Sequence, residues 1–311
     1  MTGPVLALAG GVGGAKLAWG LAQILAPEEL VIVVNTGDDA TFHGLHVSPD
    51  VDTVMYTLAG LANPETGWGV AGDSSQVLEM LARYGAETWF QLGDRDLALH
   101  IRRTELLGQG KTLSLATQEL SRSLGIEHAI VPMTDDAVRT VVNTEEGEMP
   151  FQVYFVKNRC VPRVRSVAFA GAGKAGVSPG FDRALNEAGA LIFCPSNLYL
   201  SIDPILSIPG VRRRIASFQG PRVAVSPIVG GEAVKGPLAK MMTELGREAT
   251  CTAVARHYVG LCDVLVIDEA DGASAAEIEA LGIRADVTPT VMHGPEDRIK
   301  LAQRVRELVG Y

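Results

Sequence analysis

Two short segments of the sequence concentrate residues able to do chemistry. The first is Ala9-Gly10-Gly11-Val12-Gly13-Gly14-Ala15-Lys16, and the second is Asn35-Thr36-Gly37-Asp38-Asp39. Glycines between a strand and a helix let backbone N–H groups converge on an anion, and the helix N-terminus adds partial positive charge. Gly11, Gly13, Gly14 and Lys16 are therefore candidate phosphate ligands. Neither standard pattern fits. Counted from Gly11, a dinucleotide fingerprint would need glycine where Lys16 stands, and a P-loop would need Ser or Thr after the lysine where Leu17 stands. The competing reading is a glycine-tight turn that binds nothing.

In the second segment, paired carboxylates suggest a hard-cation site beside phosphates, with magnesium (Mg2+) held by Asp38 and Asp39. Turns also favour Asp, so a capping role competes. Asp50 and Asp52 extend the acid cluster, but Asp50 follows Pro49 and suits the start of the next helix as well.

A third cluster, Trp89 to Ala98, sets Asp94, Arg95 and Asp96 beside two aromatics, with His100 one helical turn later. Arg95 can fork onto a phosphate and the aromatics can stack on a flat ring. A helix start with Asp94 as its cap explains the same residues equally well. Pro195-Ser196-Asn197, Ser201 and the run Ser226 to Pro237, with Gly230 and Lys235, are further loops able to read a sugar, base or anion. They are also ordinary turns. His257 and Tyr258 sit in an apparent helix and read as packing residues.

The elements around these loops follow from apolar periodicity. Val5–Ala9 and Leu30–Val34 are short apolar runs, and helical spacing of Leu17, Leu21, Ile24 and Leu25 lies between them. The order is strand, glycine loop, helix, strand, one βαβ unit. Short buried-strand patterns return at Ala190–Cys194, Arg222–Val225 and Val264–Ile267. A last strand is expected near Asp286–Val291, before a helix over Pro295–Leu308. The expected fold is α/β: a Rossmann-like, doubly wound, mostly parallel sheet with a largely helical inserted cap. Residues 1–50 and 168–311 form the expected nucleotide-binding core. Residues 51–167, with a strand pair near Phe151–Val156, form the expected substrate-binding insertion. In this scheme the strand-end loops at 10–14, 35–39, 195–197, 226–231 and 268–272 open on one edge of the sheet, where α/β proteins bind ligands.

Bulk properties narrow the function. Of 311 residues, 47% are hydrophobic and 20% charged, enough to bury a core. The net charge of −9 opposes a nucleic-acid surface but not one local phosphate site. Four cysteines without a CxxC pair oppose zinc and redox motifs. The apolar start lacks a basic leader, and no stretch reaches about 18 uninterrupted apolar residues. A cytoplasmic protein without a membrane partner is expected.

Taken together, GGVGGAK at 10–16, NTGDD at 35–39, WFQLGDRDLA at 89–98, PSNLYLSIDPIL at 195–206, SPIVGGEAVKGP at 226–237 and ARHYVGLCDVLVID at 255–268 resemble the 2-phospho-L-lactate transferases. That family builds the side chain of the deazaflavin coenzyme F420. The resemblance implies a donor in which guanosine diphosphate carries phospholactate, phosphoenolpyruvate or a similar phospho-acid. It implies a deazaflavin acceptor (Fo) whose terminal ribityl hydroxyl attacks, with magnesium assistance and release of GMP, in a soluble homodimer. It assigns Gly11 to Gly14 and Lys16 to the diphosphate, and Asp38 and Asp39 to magnesium or the attacking hydroxyl. Asp50 falls to the acceptor with Asp94 and Arg95 nearby, and Asn197, Ser201 and Gly230 to the nucleotide. Two positions depart from the family pattern. Leu198 stands where proline is usual, and Asp203 where glycine is usual. A nucleotide-sugar-binding regulatory protein and an NAD-dependent oxidoreductase are the rival readings. The acid cluster weighs against the first and the broken glycine fingerprint against the second.

Overall fold

The computed structural model describes residues 3–311. Seven strands form the central sheet: β1 (Val5–Ala9), β2 (Leu30–Val34), β3 (Ala129–Pro132), β4 (Ala190–Phe193), β5 (Arg222–Val225), β6 (Val264–Ile267) and β7 (Arg284–Val287). Their order is β3-β2-β1-β4-β5-β6-β7, and every neighbouring pair is parallel. This is the doubly wound arrangement, with the direction of winding reversing between β1 and β4.

The apolar runs become strands because both faces of the sheet are covered. All five residues of β1 are buried. Alternation divides them: Leu6 and Leu8 join Phe193, Ala224 and Leu265 in one core layer. Val5, Ala7 and Ala9 join Ile32, Ile192, Val223 and Val266 in the other. The second layer is closed by helix α1 (Gly11–Ala22), which packs against helix α2 (Pro49–Leu58) and the C-terminal helix Pro295–Leu308. Gly20 permits the latter contact, since a Cβ there would stand 2.3 Å from the carbonyl oxygen of Arg298.

The segment 51–167 is more closely tied to the sheet than a cap would be. It supplies α2 and the edge strand β3, together with helices α3 (Gln76–Arg83), α4 (Asp94–Gly108) and α5 (Leu113–Ser123). Its strands at Arg139–Thr144 and Gly147–Pro150 pair antiparallel and continue, beyond 151–163, onto Val164–Ala170. The strand pair expected at Phe151–Val156 is instead helical, a π-type turn over Val153–Lys157. The alternation of Phe151, Val153 and Phe155 imitates a strand. Helical spacing brings Phe151 and Phe155 together, ring centroids 5.2 Å apart, and buries Tyr154 on another side. The last strand is shorter and earlier than expected, ending at Val287, and the chain from Thr288 to His293 runs back without regular structure.

Gly20→Ala is expected to lower stability by about 1–3 kcal/mol through overpacking against the C-terminal helix, measured by urea denaturation. An unchanged midpoint would show that the two helices separate at no cost.

Candidate active site

The loops that leave the carboxyl ends of β1, β2, β4 and β5 surround a cavity of about 560 Å³ at the point where the winding reverses. Its wall includes Gly10 to Gly13, Lys16, Asp38, Asp50, Pro195 to Asn197, Ser201, Ser226 and Pro227. The chain returning from β7 adds Thr290 and Met292.

The glycine turn is shaped first by packing. A Cβ on Gly13 would stand 2.3 Å from the Pro195 carbonyl oxygen, and one on Gly14 would stand 2.7 Å from Ser196 Oγ. Only glycine lets the loops after β1 and β4 approach this closely. Gly10 N–H donates to Ser196 Oγ at 3.3 Å, and Gly11 N–H to Asp50 Oδ1 at 2.7 Å. The Gly11 amide is thus already occupied. Val12 and Gly13, in the first turn of α1, carry amides with no acceptor inside the helix, and both residues line the cavity. Beyond them Lys16 Nζ donates to the Met292 carbonyl at 2.7 Å. Burial, then the nearby Arg298 and Lys235 cations, lower its pKa.

Across from the cations lies a buried acid cluster organised by Asn35. Its Nδ2 donates to Asp50 Oδ2 at 2.9 Å, to the Leu200 carbonyl at 3.1 Å and to Asp38 Oδ1 at 3.3 Å. Asp38 has no shorter side-chain partner. Burial, followed by repulsion from Asp50 and Asp39, pushes its carboxyl well above the ordinary range. Burial also raises Asp50, to about 6, against the hydrogen bonds from Asn35 and Gly11. Asp52 is neutralised by Arg103, itself fully buried, which donates to it through both terminal nitrogens. Asp96 accepts from Tyr56 Oη at 2.6 Å and lies 3.2 Å from His100 Nε2. Tyr56, Asp96 and His100 all reach the cavity wall.

Part of the cavity wall is apolar and aromatic. Trp68, Phe90, Leu92, Phe151 and Phe155 line it. Phe90 is held from behind by Phe42, stacked at 3.9 Å, and by the edge of Trp89.

Of the residues singled out from sequence, Gly11, Gly13, Lys16, Asp38, Asp50, Asn197 and Ser201 meet at this cavity. Gly14, Asp39, Asp94, Arg95 and Gly230 lie off its wall, each for a physical reason. Gly14 is buried against Ser196 and Ala9. Asp39 turns away to accept from Ser48 Oγ at 2.6 Å and to pair with His46 Nε2 at 3.0 Å. Asp94 caps α3 by accepting from the Gln76 and Val77 amides at 3.1 and 3.0 Å. Arg95 is exposed, its guanidinium on the Ala71 carbonyl at 3.4 Å. Gly230 donates its N–H to Asp271 Oδ2 at 3.0 Å. The loop at 268–272 also stays clear of the cavity. The network of Asp52, Tyr56, Asp96, His100 and Arg103 was largely missed. Its signal was the spacing of positions 96, 100 and 103, which falls on one face of α4.

The sequence matches the family model for the 2-phospho-L-lactate transferase CofD over residues 5–292. The chain belongs to the CofD family. A phosphoenolpyruvate transferase from Streptomyces griseus is 42% identical over 310 residues, covering 98% of each chain. A 2-phospho-L-lactate transferase from Methanosarcina mazei is 38% identical over 301 residues, covering 97% of this chain and 99% of the relative. Among solved structures, a UPF0052 family protein from Bacillus halodurans matches with a TM-score of 0.63 at 15% identity, covering 98% of this chain and 99% of that one. That likeness is one of fold. This CofD-family chain is a transferase.

Leu198 and Asp203, the two positions expected to depart from the family pattern, lie off the cavity wall. Leu198 is fully buried in the core, and Asp203 pairs with His257 Nε2 at 2.9 Å and Arg212 at 3.7 Å. Among the described residues no group of three or more His, Cys, Asp or Glu converges as a metal cage, and no helix is long and apolar enough to cross a membrane.

The raised carboxyl of Asp38 has a consequence for stability. The folded state holds its proton more tightly than the unfolded chain does, so an ionised Asp38 costs stability. That cost is absent below the unfolded value, near pH 4, grows as the pH rises and is complete above the folded value. Asp38→Asn is expected to raise the thermal midpoint at pH 8, in chelator, by roughly 2–4 °C, with the gain fading towards pH 4. A midpoint that falls at pH 8 would refute the strained carboxylate.

Proposed function

We propose that this chain moves a phospho-acid moiety, 2-phospho-L-lactate, phosphoenolpyruvate or a close relative, from a guanosine diphosphate-linked donor to the ribityl hydroxyl of the deazaflavin Fo. GMP is released, and the product belongs to coenzyme F420 biosynthesis. One observation carries the reading: a single cavity joins helix-start amides and lysines, a buried acid cluster, and an aromatic wall. Those three surfaces suit a diphosphate, a reacting hydroxyl and a fused ring. Similarity to the phosphoenolpyruvate and 2-phospho-L-lactate transferases supports it.

The reaction is a phosphoryl-type displacement, so positioning and charge stabilisation do most of the work. The acceptor ring packs on Phe90, Phe151 and Phe155, which directs the ribityl end toward Asp38 and Asp50. The hydroxyl oxygen bonds to the phosphorus bearing the acid, and the bond from that phosphorus to the bridging oxygen breaks. GMP leaves with the electron pair. Asp50, raised to about 6, is largely ionised at neutral pH and accepts the hydroxyl proton. The Val12 and Gly13 amides and Lys16 stabilise charge on the departing phosphate. Asn197 and Ser201 contact the nucleotide.

Magnesium suits the chemistry of the donor set. The ion takes one or two carboxylates and completes its shell with phosphate and water oxygens. Asp38 is a buried cavity carboxylate whose protonation a divalent cation would displace, which leaves Asp50 to act as the base. Asp39, the second acid of the motif, acts by holding Ser48 and His46 in place. Bound magnesium would neutralise charge on the phosphate oxygens. By family resemblance we read the protein as a cytoplasmic homodimer.

Purified protein incubated with GDP-linked lactate or enolpyruvate and Fo should release GMP and yield an acid-modified deazaflavin by mass spectrometry. Release of no GMP from any such donor would sink the assignment. Asp38→Asn should reduce turnover by about 100-fold or more and abolish the Mg2+-dependent rise in thermal midpoint; near-normal turnover would exclude the role. Lys16→Ala should weaken GDP binding about tenfold by calorimetry, and an unchanged Kd would remove it from the phosphate site.

A further inference from the structure

Three cations, Lys16, Lys235 and Arg298, gather behind and beside the glycine turn. Among the described residues none of them is within salt-bridge distance of a carboxylate. Lys16 holds the Met292 carbonyl, Lys235 the Thr66 carbonyl, and Arg298 lies over the Trp19 ring at 5.4 Å. Like charges at close quarters without a counter-ion are unfavourable, and an anion between them removes the conflict. Lys16 and Lys235 line the cavity, while Arg298 stands outside its wall.

Lys235 reaches the site across a loop with its own internal bonding. Ala62 bridges Val70, Asn63 N–H donates to the Gly69 carbonyl at 3.1 Å, and Gly67 N–H donates to the Asn63 carbonyl at 2.8 Å. These bonds stay within the loop, so it can move as one piece on its stem. Its tip rests on the glycine turn. Gly67 has φ +78°, and a Cβ there would stand 2.7 Å from Val12 Cγ1 and 2.8 Å from Lys235 Nζ. The one side-chain hydrogen bond found between residues 63–69 and the rest of the described chain is the bond from Lys235 to Thr66. Trp68 and Gly69 of the same loop line the cavity.

We propose that Lys235 is a ligand-binding residue that closes, with Lys16, a two-lysine clamp on a pyrophosphate-class anion at the glycine turn, and that its hold on Thr66 couples this anion to closure of the 62–70 loop. An ammonium has three N–H donors, and Thr66 uses one. The remaining donors and the charge serve the anion. Coupling is reciprocal: an anion that favours the closed loop binds more tightly to it by the same factor. Only the identity of the anion, the diphosphate of the donor, rests on the proposed function.

The test uses full-length protein with Trp19→Phe and Trp89→Phe, which leaves Trp68 as the only tryptophan. Inorganic pyrophosphate and GDP are titrated separately, with calorimetry for affinity and acrylamide quenching of Trp68 for the loop. Pyrophosphate should protect Trp68 from quenching. Lys235→Gln, which loses the charge but keeps a donor, should bind pyrophosphate about tenfold more weakly and lose the protection. Lys235→Arg should recover both. Equal pyrophosphate affinity in Lys235→Gln, or protection that persists in it, overturns the clamp, as does an absence of protection in the parent. The Arg variant and the parent titration decide the matter even if the Gln variant folds poorly. A parent that binds pyrophosphate but not GDP leaves the clamp standing and removes the guanylate donor instead.

Discussion

The structure turns on carboxylates kept in a place where carboxylates are costly. Asp38, Asp39, Asp50 and Asp52 are all buried within one short stretch of chain. One of them, Asp52, is neutralised by a guanidinium that is itself fully buried. Such a pair adds little net stability but costs several kcal/mol to break, because the survivor is left unpaired. Asp39 is satisfied by Ser48 and His46. Asp38 and Asp50 remain facing the cavity with raised affinity for protons. The fold thus spends stability on two groups that a cationic or protonated partner would relieve. Perturbation of this kind is characteristic of sites where charge must change during a reaction.

Asp50 also ties the scaffold to the chemistry. Its two oxygens are held by the Gly11 amide at the start of α1 and by Asn35 at the end of β2. It stands at the beginning of α2, which packs on α1. Strand order delivers the rest. Because β1 and β4 lie side by side and their loops wind away in opposite directions, a crevice forms between them without distorting either. The glycines at 13 and 14 then close the distance between the two loops. Their lack of side chains serves protein packing, and the ligand-facing amides are a consequence of where that packing ends.

What the sequence made legible follows the strength of its local signals. Strands β5 and β6 and the C-terminal helix match their expected residues, because apolar runs and a proline at the helix start are read locally. The glycine turn and NTGDD were legible as chemistry at a strand end. The division of labour inside them was not. That Asp38 faces the cavity while Asp39 turns away depends on Ser48 and His46, placed by the short antiparallel pair Ala40–Phe42 and Leu45–Val47, which was not legible apart from the loop. WFQLGDRDLA was legible as dense in function, yet Asp94 is a helix cap and the buried network begins at Asp96. Asp96 and His100 were legible together, but their partners Tyr56 and Arg103 were not, because those contacts depend on how α2 packs beside α4. At Phe151 to Phe155 a period of two hid a helical turn, since apolar residues at 151, 153 and 155 suit a strand while Phe151 and Phe155, four apart, equally suit a helical turn.

Leu198 and Asp203 show how a segment can be anchored separately from the site it carries. After Asn197 the chain makes a π-type turn over Leu198–Ile202, capped by Asn197 Oδ1, which accepts from the Tyr199 and Leu200 amides at 3.0 and 3.2 Å. That turn presents Asn197, Leu200 and Ser201 to the cavity and sends Leu198 into the opposite core layer. A buried leucine contributes packing there that proline would supply through backbone rigidity instead. Asp203 begins the next helix, where a carboxylate suits the positive end, and it binds His257 and Arg212 across the core edge. Glycine at that position would leave His257 without this partner but would not reach the cavity. Both residues therefore act on how the segment is anchored, and the groups that line the cavity are set by the Asn197 cap that precedes them.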